Sequence, residues 1–157
     1  MVALVAAGPM FYGPAAADDC HPLLDPAKPQ YTVGYGSLME SSSKHATQPN
    51  AGINLPVLLS GFQRSWNTKG AYPTTFLGVE RSGSATMVAA LYRDFLDDDG
   101  KLASDAREID YCRDAVDPAT MKMLDGSTVP ASSQIWIYTT RPARVANPDP
   151  GHPIVQS

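Results

Sequence analysis

The run Tyr31-Thr32-Val33-Gly34-Tyr35-Gly36-Ser37-Leu38-Met39 constrains this chain more than any other stretch. Its β-branched and aromatic first half, Tyr31–Tyr35, reads as a strand. The glycines that follow let the backbone turn sharply and approach a neighbour or ligand closely. Ser37 is placed to cap a short helix continuing to about Thr47, which Pro49–Gly52 then breaks. A strand ending this way points main-chain N–H groups, and the positive end of a helix dipole, at one spot. Such a spot suits a carboxylate or a developing oxyanion. Taken alone, a glycine loop of this length is more often a capped turn with no ligand.

The rest of the chain is punctuated in the same manner. Pro22, Pro26 and Pro29 give an irregular lead-in. Val57–Leu59 and Phe62–Trp66 read as one strand kinked at Ser60-Gly61. Thr74–Glu80 and Thr86–Tyr92 read as two strands, with Arg81-Ser82-Gly83-Ser84 suited to a hairpin turn between them. Asp97–Gly100 is a turn, and its three aspartates read as solvated. Lys101 to about Asp110 has a helical pattern with acidic residues near its start. Tyr111–Val116 and Gln134–Thr140 read as late strands. The proline-rich tail, Arg141–Ser157, is expected to be extended. Strands outnumber helices, and the fold class expected is α+β: a small single domain over 19–157, with a curled, mostly antiparallel sheet or partial barrel flanked by a few short helices.

At 157 residues the chain supports one domain with a real core. A net charge of −4 without any Lys/Arg run argues against nucleic acid as a partner. The apolar stretches fall short of a membrane span, and no phosphate-binding glycine motif opens a helix. Residues 1–18 stand apart. Met1–Tyr12 is apolar without a basic side chain, and Ala15-Ala16-Ala17 precedes Asp18-Asp19-Cys20. This is the pattern of a signal-peptide remnant cut after Ala17, although the basic start is missing; a floppy N-terminal arm reads equally well. Export to a periplasmic or extracellular compartment goes with the first reading, the cytoplasm with the second. Cys20 and Cys112 follow the same fork: a disulfide tethering the N-terminal arm, or two separate thiols. His21, His45 and His152 are scattered and show no metal-ligand spacing, so no metal site is expected.

A second segment carries chemistry: Asp105-Ala106-Arg107-Glu108-Ile109-Asp110-Tyr111-Cys112-Arg113. It sets one glutamate beside arginines and a tyrosine just before a strand. By itself Glu108 reads as a solvated helix-end carboxylate with Arg107 or Arg113 as its surface partner, and Arg113 as a strand charge. The two segments together resemble the gamma-glutamylcyclotransferase-like family. The family's Y-G-S-L loop matches Tyr35-Gly36-Ser37-Leu38. Its catalytic glutamate, followed by tyrosine and arginine at this spacing, matches Glu108, Tyr111 and Arg113. Ser60–Trp66, Val88–Tyr92 and Gln134–Tyr138 look like the strands between and after, so the resemblance covers roughly residues 30–155. Two departures stand out. Relatives usually continue into a further helix past the proline-rich tail, so this chain reads as truncated at its C-terminus. Where some relatives close the pocket with a tyrosine, this chain has His152.

The resemblance implies a cofactor-independent enzyme acting on a small gamma-glutamyl substrate. The substrate's α-amine attacks its own γ-carbonyl, giving 5-oxoproline and a free amine or amino acid. Glu108 would be the general acid/base, with Tyr35, Gly36, Ser37, Leu38 and Tyr111 binding substrate and Arg113 balancing charge near the base. Such a reaction needs no metal, cofactor or protein nucleophile. The alternatives are a non-enzymatic module binding a small carboxylate on the same scaffold, or a related enzyme that removes gamma-glutamyl groups in a biosynthesis. The leaving group and the oligomeric state are not legible from the sequence.

Overall fold

A computed structural model describes residues 20–70 and 72–155. The N-terminal stretch read as a signal-peptide remnant or arm lies outside them. The order of elements is β1 (Gln30–Gly34), α1 (Ser41–Thr47), β2 (Leu55–Lys69), β3 (Thr75–Asp94), β4 (Tyr111–Ala115), β5 (Met121–Met123) and β6 (Gln134–Thr140), with short 3-10 turns between them. The strands form one six-stranded sheet in the order β4-β6-β1-β3-β2-β5. β1 runs parallel to β6, and the other pairings are antiparallel. The architecture is therefore α+β, with a mixed and open sheet rather than a closed barrel.

β1 lies between β3 and β6, and its Thr32 and Val33 are fully buried. A central strand covered on both faces favours this β-branched run. The core is built from Val33, Val57, Leu59, Val79, Leu91 and Ile137 with their neighbours. β2 and β3 form a long hairpin, with Trp66 opposite Leu77 and Thr68 opposite Phe76. The kink expected at Ser60-Gly61 is a shift of register between Ser60 and Phe62, with Gly61 at φ +87°.

Four expectations need correction. The chain does not reverse at Arg81–Ser84. Both flanking stretches pair with the same strand, β2, so residues 75–94 are one strand carrying an irregularity opposite Gly61. The reversal falls in the segment between Lys69 and Thr75, where Thr74 N–H donates to Tyr72 O at 2.7 Å. The helix expected over Lys101–Asp110 is only a 3-10 turn, Ala103–Ala106. Its first residues are held in bridges instead: Leu102 pairs with Leu96, and Ala103 N–H donates to Phe95 O at 2.8 Å. With β4 starting at Tyr111, too few residues remain to repay helix nucleation. Ser37 caps no helix. A 3-10 turn spans Gly36–Met39, and Glu40 caps α1 by accepting from the N–H groups of Ser42 and Ser43 at 3.0 and 2.6 Å. Arg113 is not a surface charge: it is buried, paired with Asp105 and lying 4.9 Å over the Trp136 ring.

Cys20 and Cys112 form a disulfide, with Cα atoms 4.6 Å apart. The lead-in is tied down further where Arg113 N–H donates to Cys20 O at 2.8 Å and Arg113 Nη2 to Pro22 O at 2.6 Å. The proline-rich tail folds back on the hairpin. Ala146 N–H donates to Asn67 O, and Thr75 bonds Pro153 O and His152 O.

Candidate active site

The end of β1 builds one side of the site. A Cβ on Gly34 would stand 2.8 Å from Leu38 Cβ and 3.2 Å from the Tyr92 ring, so glycine is what lets the turn fold back onto the strand. Gly36 sits at φ +59°, in the left-handed region that glycine adopts without strain. The 3-10 turn that follows has no side-chain cap at its N-terminus, and the first N–H groups of such a turn have no partner within it. Its far end is held by Asn54, whose Nδ2 donates to Leu38 O and Met39 O at 3.2 and 2.8 Å. Asn54 is itself fixed by the buried Lys44 ammonium (2.6 Å), which also bonds Gly52 O and lies 4.5 Å over the Tyr92 ring. Burial holds the Lys44 ammonium below its usual pKa, and nearby Asp94 opposes that.

Glu108 arrives from the opposite side. Its N–H and that of Arg107 both donate to Ser104 O at 3.1 Å, and Tyr111 N–H donates back to Glu108 O at 3.0 Å. Ser104 is fully buried, its hydroxyl bonded to Asp94, Gln48 and Tyr92. The Glu108 backbone is thus anchored to a buried polar cluster. The side chain is 12% exposed. Burial raises its pKa to about 7, and the Arg107 guanidinium partly opposes the rise.

Loop and carboxylate open onto one cavity of about 860 Å³. Tyr35, Gly36, Ser37, Leu38, Glu108 and Tyr111 all line it, so all six residues singled out in the sequence come together. Glu40, Ser43 and Thr74 add polar wall, while Trp66, Phe76, Leu77 and Val155 add apolar wall. Both tyrosine hydroxyls already donate to main-chain carbonyls: Tyr35 to Tyr138 O at 2.5 Å, Tyr111 to Leu77 O at 3.0 Å. Burial pushes the pKa of each phenol up, and the neighbouring Glu108 adds to the effect. Each phenol oxygen keeps acceptor capacity, that of Tyr111 already shared with the Thr68 side chain. His152 is not in this wall; its main chain bonds Asp149 and Thr75, and Val155 stands at the cavity instead.

Three contributions were not legible beforehand. Arg107 bridges the two sides: Nη2 donates to Ser37 Oγ at 2.8 Å across 70 residues of sequence, and Nη1 to Ser43 O and Thr47 Oγ1 at 2.9 Å. Asn54 steadies the turn from a loop that carries no motif. Trp66 and Phe76 reach the cavity through the β2–β3 register. A smaller cavity of about 400 Å³ lies elsewhere, beside Glu80, Arg81, Asp114 and Thr139. Among the described residues no three His, Cys, Asp or Glu side chains are grouped to hold a metal ion, and no helix is long and apolar enough to cross a membrane.

No family model matches the chain, and no curated protein matches it significantly. Solved structures do. A gamma-glutamyl cyclotransferase superposes with a TM-score of 0.56 at 12% identity, covering 73% of this chain and 68% of that one. The Arabidopsis thaliana protein At5g39720.1 superposes with a TM-score of 0.55 at 18% identity, covering 78% of each chain. At these identities the likeness establishes the fold: this α+β domain has the architecture seen in a gamma-glutamyl cyclotransferase.

Proposed function

We propose that the chain is a gamma-glutamylcyclotransferase-type enzyme with Glu108 as its general acid/base. The observation that carries this reading is a largely buried carboxyl, with its pKa raised to about 7, in the same cavity as a glycine turn of uncapped N–H groups. A carboxyl so tuned both takes and returns a proton near neutral pH.

The substrate is a gamma-glutamyl amide. Glu108 takes a proton from its α-ammonium, and the freed amine attacks the γ-carbonyl carbon. A C–N bond closes the five-membered ring while the bond to the leaving amine breaks; Glu108 passes the first proton to the leaving nitrogen, and the second proton, shed by the ring nitrogen, leaves with the amine as its ammonium. The products are 5-oxoproline and the amine, with no water consumed. Because the attack is intramolecular, holding the glutamyl chain folded supplies much of the acceleration. N–H groups of Gly36, Ser37 and Leu38 serve the substrate carboxylate or the oxyanion. The Tyr35 and Tyr111 oxygens, with their own protons committed, are suited to accept from the α-ammonium.

The test is 5-oxoproline release from a panel of gamma-glutamyl dipeptides, gamma-glutamyl amines and glutathione. Wild type releases it from at least one member, and Glu108→Gln does not. A Glu108→Gln protein that retains near-wild-type release would sink the assignment.

A further inference from the structure

The walls of the cavity differ in chemistry, and the difference bears on the leaving group. The turn and Glu108 supply the polar end. Away from them stand Trp66, Phe76, Leu77 and Val155, none of them fully buried, so this wall leaves apolar surface for a ligand to cover. Neither a lysine, an arginine nor a histidine belongs to the described lining. The residues of this sequence outside the described ones contain none either. The lining charges are both carboxylates, Glu108 and the exposed Glu40. Hydrogen bonds from Ser42 and Ser43 hold the Glu40 carboxyl down at about 2, so it is ionised at any working pH.

Arg64, two residues before Trp66 on β2, is exposed with its Nη1 3.7 Å from Met39 Sδ and lies outside the lining. Arg107 sits at the polar end, donating to Ser37 Oγ, Ser43 O and Thr47 Oγ1 and lying beside Glu108. At the turn end of the β2–β3 hairpin, Lys69 is paired with Asp149 and Arg144 with Asp110. A carboxylate pressed against the aromatic wall would lose water and find no cation in the described lining.

Resting on the cyclotransferase reading, we infer that the substrate is a gamma-glutamyl amine whose leaving amine is carried on an apolar body without a carboxylate. Gamma-glutamyl amino acids and glutathione, whose leaving groups end in a carboxylate, are disfavoured by the same wall. The one anionic group the cavity accommodates is then the α-carboxylate of the glutamyl moiety, at the glycine turn.

The experiment compares γ-glutamyl-phenethylamine with γ-glutamyl-phenylalanine, which differ only in that carboxylate. 5-Oxoproline release is followed for both, alongside glutathione. The expected result is a kcat/KM at least about tenfold higher for the phenethylamine compound. Phe76→Arg, which puts a cation in the apolar wall, is expected to narrow that ratio by at least about threefold. Equal or faster turnover of γ-glutamyl-phenylalanine by the wild-type protein overturns the inference and leaves the cyclotransferase reading standing. No release from any of the three by folded protein overturns both.

Discussion

Arg107 Nε lies 3.5 Å from Glu108 Oε1, while the rest of the guanidinium reaches across to Ser37, Ser43 and Thr47. One side chain thus joins the glycine turn, α1 and the carboxylate. It also fixes a balance of charge. Burial drives Glu108 towards its neutral form, and Arg107 draws it back.

Removing that guanidinium should show in the pH dependence. In the proposed reaction Glu108 must be ionised to take the proton, so kcat/KM rises with pH through a value of about 7. In Arg107→Gln the opposing charge is gone, and the acid limb should move upward by at least half a pH unit while the rate on the plateau falls. An unmoved limb in Arg107→Gln would show that the guanidinium does not govern the carboxyl.

The same carboxyl should leave a mark on stability. Its folded pKa of about 7 stands above the ordinary 4.5. Between those values the native state holds a proton that the unfolded chain has lost, so stability falls as pH rises from about 4.5 to about 7 and levels off above. A difference of roughly two and a half units corresponds to at most about 3 kcal/mol. Glu108→Gln carries no such cost. It should therefore gain stability over wild type at pH 8, and the gain should vanish near pH 4. Thermal unfolding at both pH values checks this; a Glu108→Gln protein less stable than wild type at pH 8 would contradict it.

The sequence carried the strands whose composition is decisive. Tyr31–Tyr35, Tyr111–Val116 and Gln134–Thr140 each lie within a residue of the observed element. The turn residues Gly34 and Gly36 were legible because their conformations exclude most other side chains. Arg81–Ser84 misled because a glycine-serine run that suits a hairpin also suits an irregular stretch of one long strand; only the shared neighbour β2 decides between them. Lys101–Asp110 misled because its helical pattern is overridden by pairing of Leu102 with Leu96. Arg113 and Arg107 look alike in sequence, yet Asp105 and Trp136 claim the first and Glu108 the second. Position in the sheet makes that choice, and it is not written in the spacing.

The close approach at Gly34 gives a prediction about the turn itself. In Gly34→Ala the new methyl meets Leu38 Cβ at 2.8 Å and Leu38 O at 3.3 Å. Neither atom is the free end of a flexible side chain, so the turn must shift. The expected cost is about 1–3 kcal/mol, of the size seen when a packed site is overfilled. Because Leu38 N–H belongs to the proposed anion cradle, kcat/KM should fall by at least tenfold in protein that remains folded. Chemical denaturation and 5-oxoproline release measure the two effects separately, and unchanged values in both would mean that the turn yields freely.

The segment that carries Glu108 is held at both ends. Asp105 and Arg113 bracket it, joined by an ion pair in which Arg113 is 3% exposed. Tyr138 donates to the other Asp105 oxygen at 2.7 Å, and Arg113 Nη2 donates to Pro22 O at 2.6 Å. Next to Arg113, the Cys20–Cys112 disulfide ties the lead-in to β4. Two substitutions separate these supports. Asp105→Asn leaves the Arg113 charge buried without its partner and should cost about 3–5 kcal/mol. Cys20→Ser with Cys112→Ser releases a closure spanning 92 residues and should cost about 2–4 kcal/mol. The disulfide acts largely by restricting the unfolded chain, so the doubly substituted protein, where folded, should keep its kcat/KM within about threefold. Asp105→Asn acts on the native geometry three residues from Glu108 and should lower kcat as well. Equal losses of kcat from both substitutions would show that the disulfide, too, holds the Glu108 segment in place.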